Sequence, residues 1–344
     1  MSYQIHRLKL PMRALIALFV VCLLNIVAGV PPAQATTDVF TSAGSGTWTA
    51  PAGVTEITIE CWGGGGGGGN DTSSQNNGGG GGGGGAYAKV NSFAVTPGAS
   101  YNYTVGAGGT GASVPSGTAT NGGSSSFNTT TCVAAGGSAG SNGNNGGAGG
   151  AGGTASSPTT GDVKFAGGSG ASGTSSGNGS GGGGGGSAGT GSNGNSANSS
   201  TGATAVSEGG PGGNGGSNAA GSAPTSGPGG GGGGGEAPTS TNNDRTGGNG
   251  YVGQIRITYK ATPTLSVTNS PVTYNGSPQA ATVTGSVAGT VSAIKYDGSA
   301  TIPTNAGTYA ITADFTPTDT ANYNSLSAAS AGNFTINKAT PTLT

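Results

Sequence analysis

The chain has 344 residues, of which 79 are glycine, and charged residues make up only 6%. Soluble domains average about 7% glycine and about 25% charged residues, so this is not the composition of an ordinary enzyme. The single histidine is His6 and the net charge is −1. These values exclude histidine-based catalysis beyond the N-terminal segment, and they offer no basic surface for nucleic acid.

Residues 1–35 have the features of a secretory signal peptide. Basic residues precede an apolar stretch over residues 14–30, and Ala33-Gln34-Ala35 is a small-x-small cleavage sequence. We expect cleavage after Ala35, with an uncleaved membrane anchor as the alternative. The remaining chain has 7 Lys and Arg against 11 Asp and Glu, and two cysteines, Cys61 and Cys132. In an exported protein this pair predicts a disulfide, with two buried free thiols as the alternative.

Short β-strands separated by glycine runs are predicted for the first domain, residues 36–260. Ile57, Ile59 and Cys61 alternate with polar residues, which places them on one face of a strand, and we expect Glu60 on the other face to meet solvent. Strands of the same kind are predicted at residues 47–49, 86–95, 101–105, 125–133, 163–166 and 254–259. Between residues 63 and 250, 68 of the 188 residues are glycine, with pure runs at residues 63–69, 78–85, 181–186 and 229–235.

The glycine runs can adopt one of two structures, a packed bundle or a flexible linker. Glycine buries almost no side-chain area and loses about 1–2 kcal/mol of backbone entropy per ordered residue, so a single run is not stable alone. Several runs side by side can exchange lateral backbone hydrogen bonds, which predicts a packed bundle. A flexible Gly/Ser/Asn linker is the alternative.

Phe40-Thr41-Ser42, residues 46–54 and residues 57–62 running into the first glycine run resemble the opening of the glycine-rich domain of bacterial exported proteins and phage tail-fibre adhesins. The resemblance extends to residue 260 and implies a sandwich of polyglycine-type helices whose joining loops contact a receptor. The corresponding loops are residues 70–77, 187–228 and 236–249. On this basis, and with the two tryptophans considered as carbohydrate platforms, the candidate interaction surface comprises Trp48, Trp62, Asn70, Asn77, Asn193 and Asn243. For both tryptophans, packing in the core or at the end of a strand is the more common role and is the alternative.

An all-β sandwich is predicted for residues 261–338. Short alternating segments are separated by Asn, Gly, Pro and Asp turns, and Tyr309, Ile311, Ala313 and Phe315 share one predicted core face. The predicted strand segments are residues 265–267, 272–274, 281–284, 291–296, 307–315 and 333–336. The segments Tyr274-Asn275-Gly276, Tyr296-Asp297-Gly298 and residues 303–317 resemble the MBG-type immunoglobulin-like repeat of bacterial surface proteins. Residues 260–265 recur at residues 338–343. This predicts that residues 339–344 begin a further repeat, and a spacer is the alternative.

The fold class expected is therefore all-β: a glycine-rich domain with a polyglycine-type helix bundle, followed by an Ig-like β-sandwich. Both G-x-S-x-G matches in the glycine-rich region lack a histidine partner, so we expect no catalysis. No metal or cofactor is expected, because Asp297, Asp314 and Asp319 match no calcium-binding pattern.

We expect an adhesin-like protein, secreted or on the surface of the bacterial envelope, that binds a surface receptor, glycan or matrix component. It is not expected to bind nucleic acid or to insert into a membrane after signal cleavage. An inert structural matrix protein is the main alternative. Ice binding is a third, although it requires small residues at a fixed three-residue step.

Overall fold

The computed structural model describes residues 35–71, 77–143, 146–155, 160–175, 179–237 and 244–340. The chain divides into two compact units, one of which is Thr36–Tyr259, and the other contains the described residues from Lys260 onward. The strands of the first unit are β1 Thr36–Phe40, β2 Gly44–Thr49, β3 Glu56–Trp62, β4 Tyr87–Ala94, β5 Ser100–Val105, β6 Ser125–Phe127, β7 Cys132–Ala134, β8 Val163–Phe165 and β9 Gln254–Tyr259.

These nine strands form two antiparallel sheets. One has the order β1-β9-β3-β4-β8 and the other β2-β5-β6-β7. The core lies between them, because Ile57, Ile59 and Cys61 of β3 are buried against Phe127 and Cys132 of the second sheet. The alternation predicted for β3 is confirmed on this inward face. The predicted single strand 125–133 is in fact two strands, β6 and β7, joined by a tight turn.

The glycine runs fall outside every named strand, and no residue of the described ranges is assigned to a helix. The polyglycine-type helix bundle expected from the sequence is therefore not seen as a set of regular helices. The runs are instead joined by backbone hydrogen bonds that repeat every three residues. Residues 63, 66 and 69, for example, donate their N–H groups to the carbonyls of residues 86, 83 and 80 at 2.8–3.0 Å. We call the described residues between 63 and 253 that lie outside strands the glycine lattice.

Each pure glycine run lies at the centre of its own ring of neighbours. Run 63–69 donates backbone hydrogen bonds to three segments, residues 80–86, 120–123 and 248–251, and accepts them from three others, residues 109–112, 137–140 and 232–235. A Cβ atom added anywhere in the four runs except Gly186 would lie closer than 3.0 Å to a neighbouring backbone atom. The close approach of the main chains therefore requires glycine at these positions.

Outer segments of the glycine lattice carry a side chain at every third residue. In residues 147–154 the exposed positions are Ala148, Ala151 and Thr154, whereas the intervening glycines face neighbouring runs. Asparagine, serine and threonine side chains at the outer faces accept hydrogen bonds from backbone N–H groups. Six such acceptors are Thr120, Asn121, Asn193, Ser196, Asn214 and Asn249. These side chains satisfy backbone donors where no further run is present.

The second unit is also all-β. Its strands are β10 Leu265–Val267, β11 Val272–Thr273, β12 Val283–Gly285, β13 Gly289–Tyr296, β14 Gly307–Pro317 and β15 Leu326–Asn337. They form a β10-β12 pair and a four-stranded sheet of order β11-β15-β14-β13. Ile311, Ala313 and Phe315 of β14 are buried and Tyr309 packs against them, as predicted.

Candidate functional site

One end of the glycine lattice, which we call the distal end, is formed by the described residues of 70–78, 113–117, 141–147, 174–180 and 235–245. Seven lattice segments directly follow or precede a strand, so the strands lie at the opposite end. Asn70 links two distal segments, because its Nδ2 donates to the Ser113 carbonyl at 2.7 Å and its backbone N–H donates to Asn142 Oδ1 at 3.3 Å.

The distal end places two of the predicted interaction residues in the interior instead of on the surface. Asn70 is 0% exposed and Asn77 is 7% exposed. Their amide groups are therefore unavailable to a receptor, and this part of the sequence-based prediction is wrong. Asn193 is exposed, but it lies near the strand end of the lattice and its Oδ1 accepts a hydrogen bond from Ala166 N at 2.9 Å. Asn243 lies outside the described residues.

The two tryptophans are also buried. Trp48 is 5% exposed and donates its Nε1–H to Asp38 at 2.8 Å, among the aromatic side chains between the sheets. Trp62 is 0% exposed and lies on the opposite face of its sheet, where its ring centroid is 4.9 Å from that of Tyr87. Ala188 of the glycine lattice and the partly buried Val163 and Phe165 of β8 pack with Trp62 and Tyr87, and together they form a second, smaller core. Neither ring can act as an exposed carbohydrate platform.

A charged cluster lies beside Trp62 on the lattice-facing side of the sheet. Arg256 donates to Glu60 at 2.7 and 2.9 Å and to Glu208 at 2.6 Å, and its guanidinium lies 5.2 Å from the Trp62 ring centroid. Tyr87 donates its hydroxyl to Glu60 at 2.7 Å. The expectation that Glu60 faces solvent is therefore wrong, because Glu60 is only 7% exposed.

The charged and hydrogen-bonding groups of this cluster change one another's pKa values. Burial alone would raise the pKa of Glu60, but hydrogen bonds from Arg256 and Tyr87 outweigh it and the pKa is lowered. Burial and the Glu60 carboxylate raise the pKa of Tyr87. Since Glu208 belongs to a lattice turn and Arg256 to β9, the cluster attaches the lattice to the sheet.

Buried carboxylates also occur at the distal end. Asp71 and Glu236 are 0% and 1% exposed, and Asp71 Oδ2 accepts a hydrogen bond from Ala237 N at 3.1 Å. Burial, with a further contribution from Asp71, raises the pKa of Glu236. Within the described ranges, no group of three or more His, Cys, Asp or Glu residues is arranged to hold a metal ion. Asp297, Asp314 and Asp319 each accept a hydrogen bond from a backbone N–H group, those of Ala310, Ala328 and Asn322.

An exposed groove on the side of the lattice is the better candidate for an interaction site. It has a volume of about 390 Å³ and is lined by residues 195–199 and 201–204. Asn198 and Thr201 are exposed there, while Asn195 Nδ2 donates to the Thr204 backbone carbonyl and hydroxyl at 3.1 Å. The groove lies within the predicted loop region 187–228. Sequence reasoning selected that region but not these residues, because nothing local shows which of its many Asn, Ser and Thr residues converge.

Cys61 and Cys132 are both free thiols in the structure and both are fully buried. Among the described residues, no helix is long and apolar enough to cross a membrane.

Comparison with known families finds two matches. Residues 41–260 match a family described as a glycine-rich domain, and residues 261–340 match the MBG domain family. Both resemblances inferred from sequence landmarks are thereby confirmed. No curated protein matches the chain.

Proposed function

Because the chain belongs to the glycine-rich domain family and continues into an MBG domain, we propose that it is an exported, non-catalytic interaction protein of the bacterial envelope. In this proposal a rigid glycine-rich domain binds a surface receptor, and Ig-like repeats carry it away from the cell. MBG domains are typically extracellular, which favours this location.

The glycine lattice is the observation that carries the proposal. Its three-residue hydrogen-bond repeat, with six neighbours around a central run, supports polyglycine-type packing of the main chains. Such packing gives a rigid body whose outer surface is made of small polar side chains. Outer side chains that accept no backbone hydrogen bond can vary with little effect on the four central runs, because those runs contain only glycine.

The groove at residues 195–204 indicates the chemical class of the ligand. Its lining contains hydroxyl and amide groups and no charged or aromatic residue. Such groups complement the hydroxyl and acetamido groups of an uncharged glycan. Without an aromatic anchor a single site binds weakly, so we expect useful affinity only when several copies act together.

The experiment is binding of the fluorescently labelled, tetramerised protein to immobilised uncharged glycans and to matrix proteins. We expect saturable binding to at least one glycan, reduced several-fold by the double substitution Asn198→Ala with Thr201→Ala. The matched control is Asn102→Ala with Thr47→Ala, which removes the same groups from a paired position on β5 and β2.

An equal loss of glycan binding in the two double variants would contradict a role for the groove. Absence of saturable binding, together with insoluble fractionation of the native protein, would favour an inert structural matrix instead. Export is tested separately, since a surface protein is released from intact cells by added protease.

A further inference from the structure

We propose that Cys61 and Cys132 form a disulfide bond between the two sheets of the first unit. The inference rests on the proposed export, because disulfides persist in oxidising compartments. The bond would fix β3 of the five-stranded sheet to β7 of the four-stranded sheet, at the edge from which the glycine lattice extends.

The contacts of both thiols place them at one interior position. Cys61 Sγ lies 3.6 Å from the carbonyl oxygen of Cys132, and Cys132 Sγ lies 3.5 Å from the carbonyl oxygen of Ala88 on β4. Both residues are 0% exposed. The two thiols also act directly on each other, because the Cys132 side chain is a hydrogen-bond partner of the Cys61 thiol, so the two cysteines are close enough to be tested as a disulfide pair.

Formation of the bond requires an oxidant and access to it. A thiolate of one cysteine attacks the disulfide of oxidised glutathione or of a dithiol oxidase, which releases one thiol and leaves a mixed disulfide. The second cysteine then displaces the other thiol of the oxidant. In total the two thiols lose two protons and two electrons, and the oxidant disulfide is reduced to two thiols. Burial raises the pKa of Cys61, so we expect oxidation during folding, before the sheets cover the thiols.

The test uses the full chain with Cys22→Ser, which removes the cysteine of the N-terminal segment. The reduced, denatured protein is refolded with oxidised and reduced glutathione, treated with a maleimide in denaturant and digested with trypsin. Cleavage at Lys89 and Lys164 separates the Cys61 peptide from the Cys132 peptide. We expect a linked peptide pair in the monomeric fraction, without maleimide, that separates on reduction. Two maleimide-labelled peptides would overturn the proposal.

Thermal unfolding provides a second readout. The chain-entropy estimate for a closed loop of about 70 residues predicts that reduction lowers the Tm of the first unit by about 10 °C. We expect no such shift in the same chain with Cys132→Ser, and a shift of equal size in both proteins would overturn the proposal. The digest of protein taken from cells tests export: a bond in refolded protein but free thiols in cell-derived protein supports the disulfide and counts against export.

Discussion

Replacement of Gly66 by alanine tests whether the glycine lattice is a packed interior. Gly66 is the middle residue of run 63–69, and its added Cβ would lie 2.5 Å from the carbonyl carbon of Ser138 and 3.0 Å from the nitrogen of Ala139. Ordinary van der Waals contact begins at 3.4 Å. Backbone atoms cannot rotate away as a flexible side chain can, so residues 138–139 must move by more than half an ångström.

That movement breaks specific hydrogen bonds. The Ser138 carbonyl accepts the N–H group of Gly83 at 2.9 Å, and Gly66 itself donates to the Gly83 carbonyl at 2.9 Å. A buried donor without a partner costs about 1–3 kcal/mol, and overpacking costs about 1–3 kcal/mol. We expect Gly66→Ala to lower the free energy of unfolding by about 4 kcal/mol, which corresponds to a Tm lower by about 10 °C.

Gly191→Ala is the matched control. A Cβ at Gly191 meets no atom within 4 Å, and its φ lies outside the left-handed region, so we expect a change of less than about 1 kcal/mol. Thermal unfolding followed by calorimetry compares both variants with the parent. If Gly66→Ala unfolds within 1 °C or so of Gly191→Ala, the runs are a flexible tether and the packing argument fails.

Three further predictions concern buried ionisable groups, each checked by urea unfolding. Arg256→Gln leaves Glu60 buried without its cation, so we expect a loss of about 3 kcal/mol at neutral pH. The pKa of Glu60 is lowered by folding in the parent, whereas burial without the cation raises it in the variant, so the loss shrinks as the pH falls from neutral through the ordinary value of 4.5. Tyr87→Phe removes a hydrogen bond to the same carboxylate and should lower the free energy of unfolding by about 2 kcal/mol. An unchanged urea midpoint would contradict the hydrogen bond between Tyr87 and Glu60. Burial and Asp71 raise the pKa of Glu236, so its ionised form opposes folding; Glu236→Gln should therefore be more stabilising, relative to the parent, at pH 7 than at pH 4.

Strand positions were predictable because they depend on local alternation. β9 and β10 have the predicted bounds, and most others differ by one or two residues. β1 was missed, since Thr36–Phe40 has no clear alternation, and only the end of β15 was predicted. The part of β15 before Asn333 is mostly Ala and Ser, which differ little in hydrophobicity and therefore show no clear alternation of apolar and polar residues. Pairing with β14 determines that part of the strand.

The residues that attach the lattice to the sheet were not predictable from local sequence. Glu60 and Arg256 are directly opposed on β3 and β9, but 196 residues separate them in the chain. Burial of Trp62 has the same origin, because Phe165 of β8 and Ala188 of the glycine lattice pack beside it from distant parts of the sequence. One signal was present and unused: in residues 146–154 the pattern Gly-Gly-x repeats every three residues, which distinguishes an outer segment from a central run.

The strands explain how a chain so rich in glycine can be ordered. Ordering each glycine costs about 1–2 kcal/mol, and its backbone hydrogen bonds return a similar net amount, so a lattice alone is marginal. Strands in a sheet are spaced about 4.8 Å apart by backbone hydrogen bonds. Lattice segments leave β3, β5, β7 and β8 and enter their sheet neighbours β4, β6 and β9, so the sheets bring the ends of these segments to hydrogen-bonding distance, as in the 3.0 Å bond from Gly63 N–H to the Ala86 carbonyl. The hydrophobic core between the sheets therefore offsets the entropy cost of aligning the runs. The glycine residues then have only to let the aligned main chains pack closely.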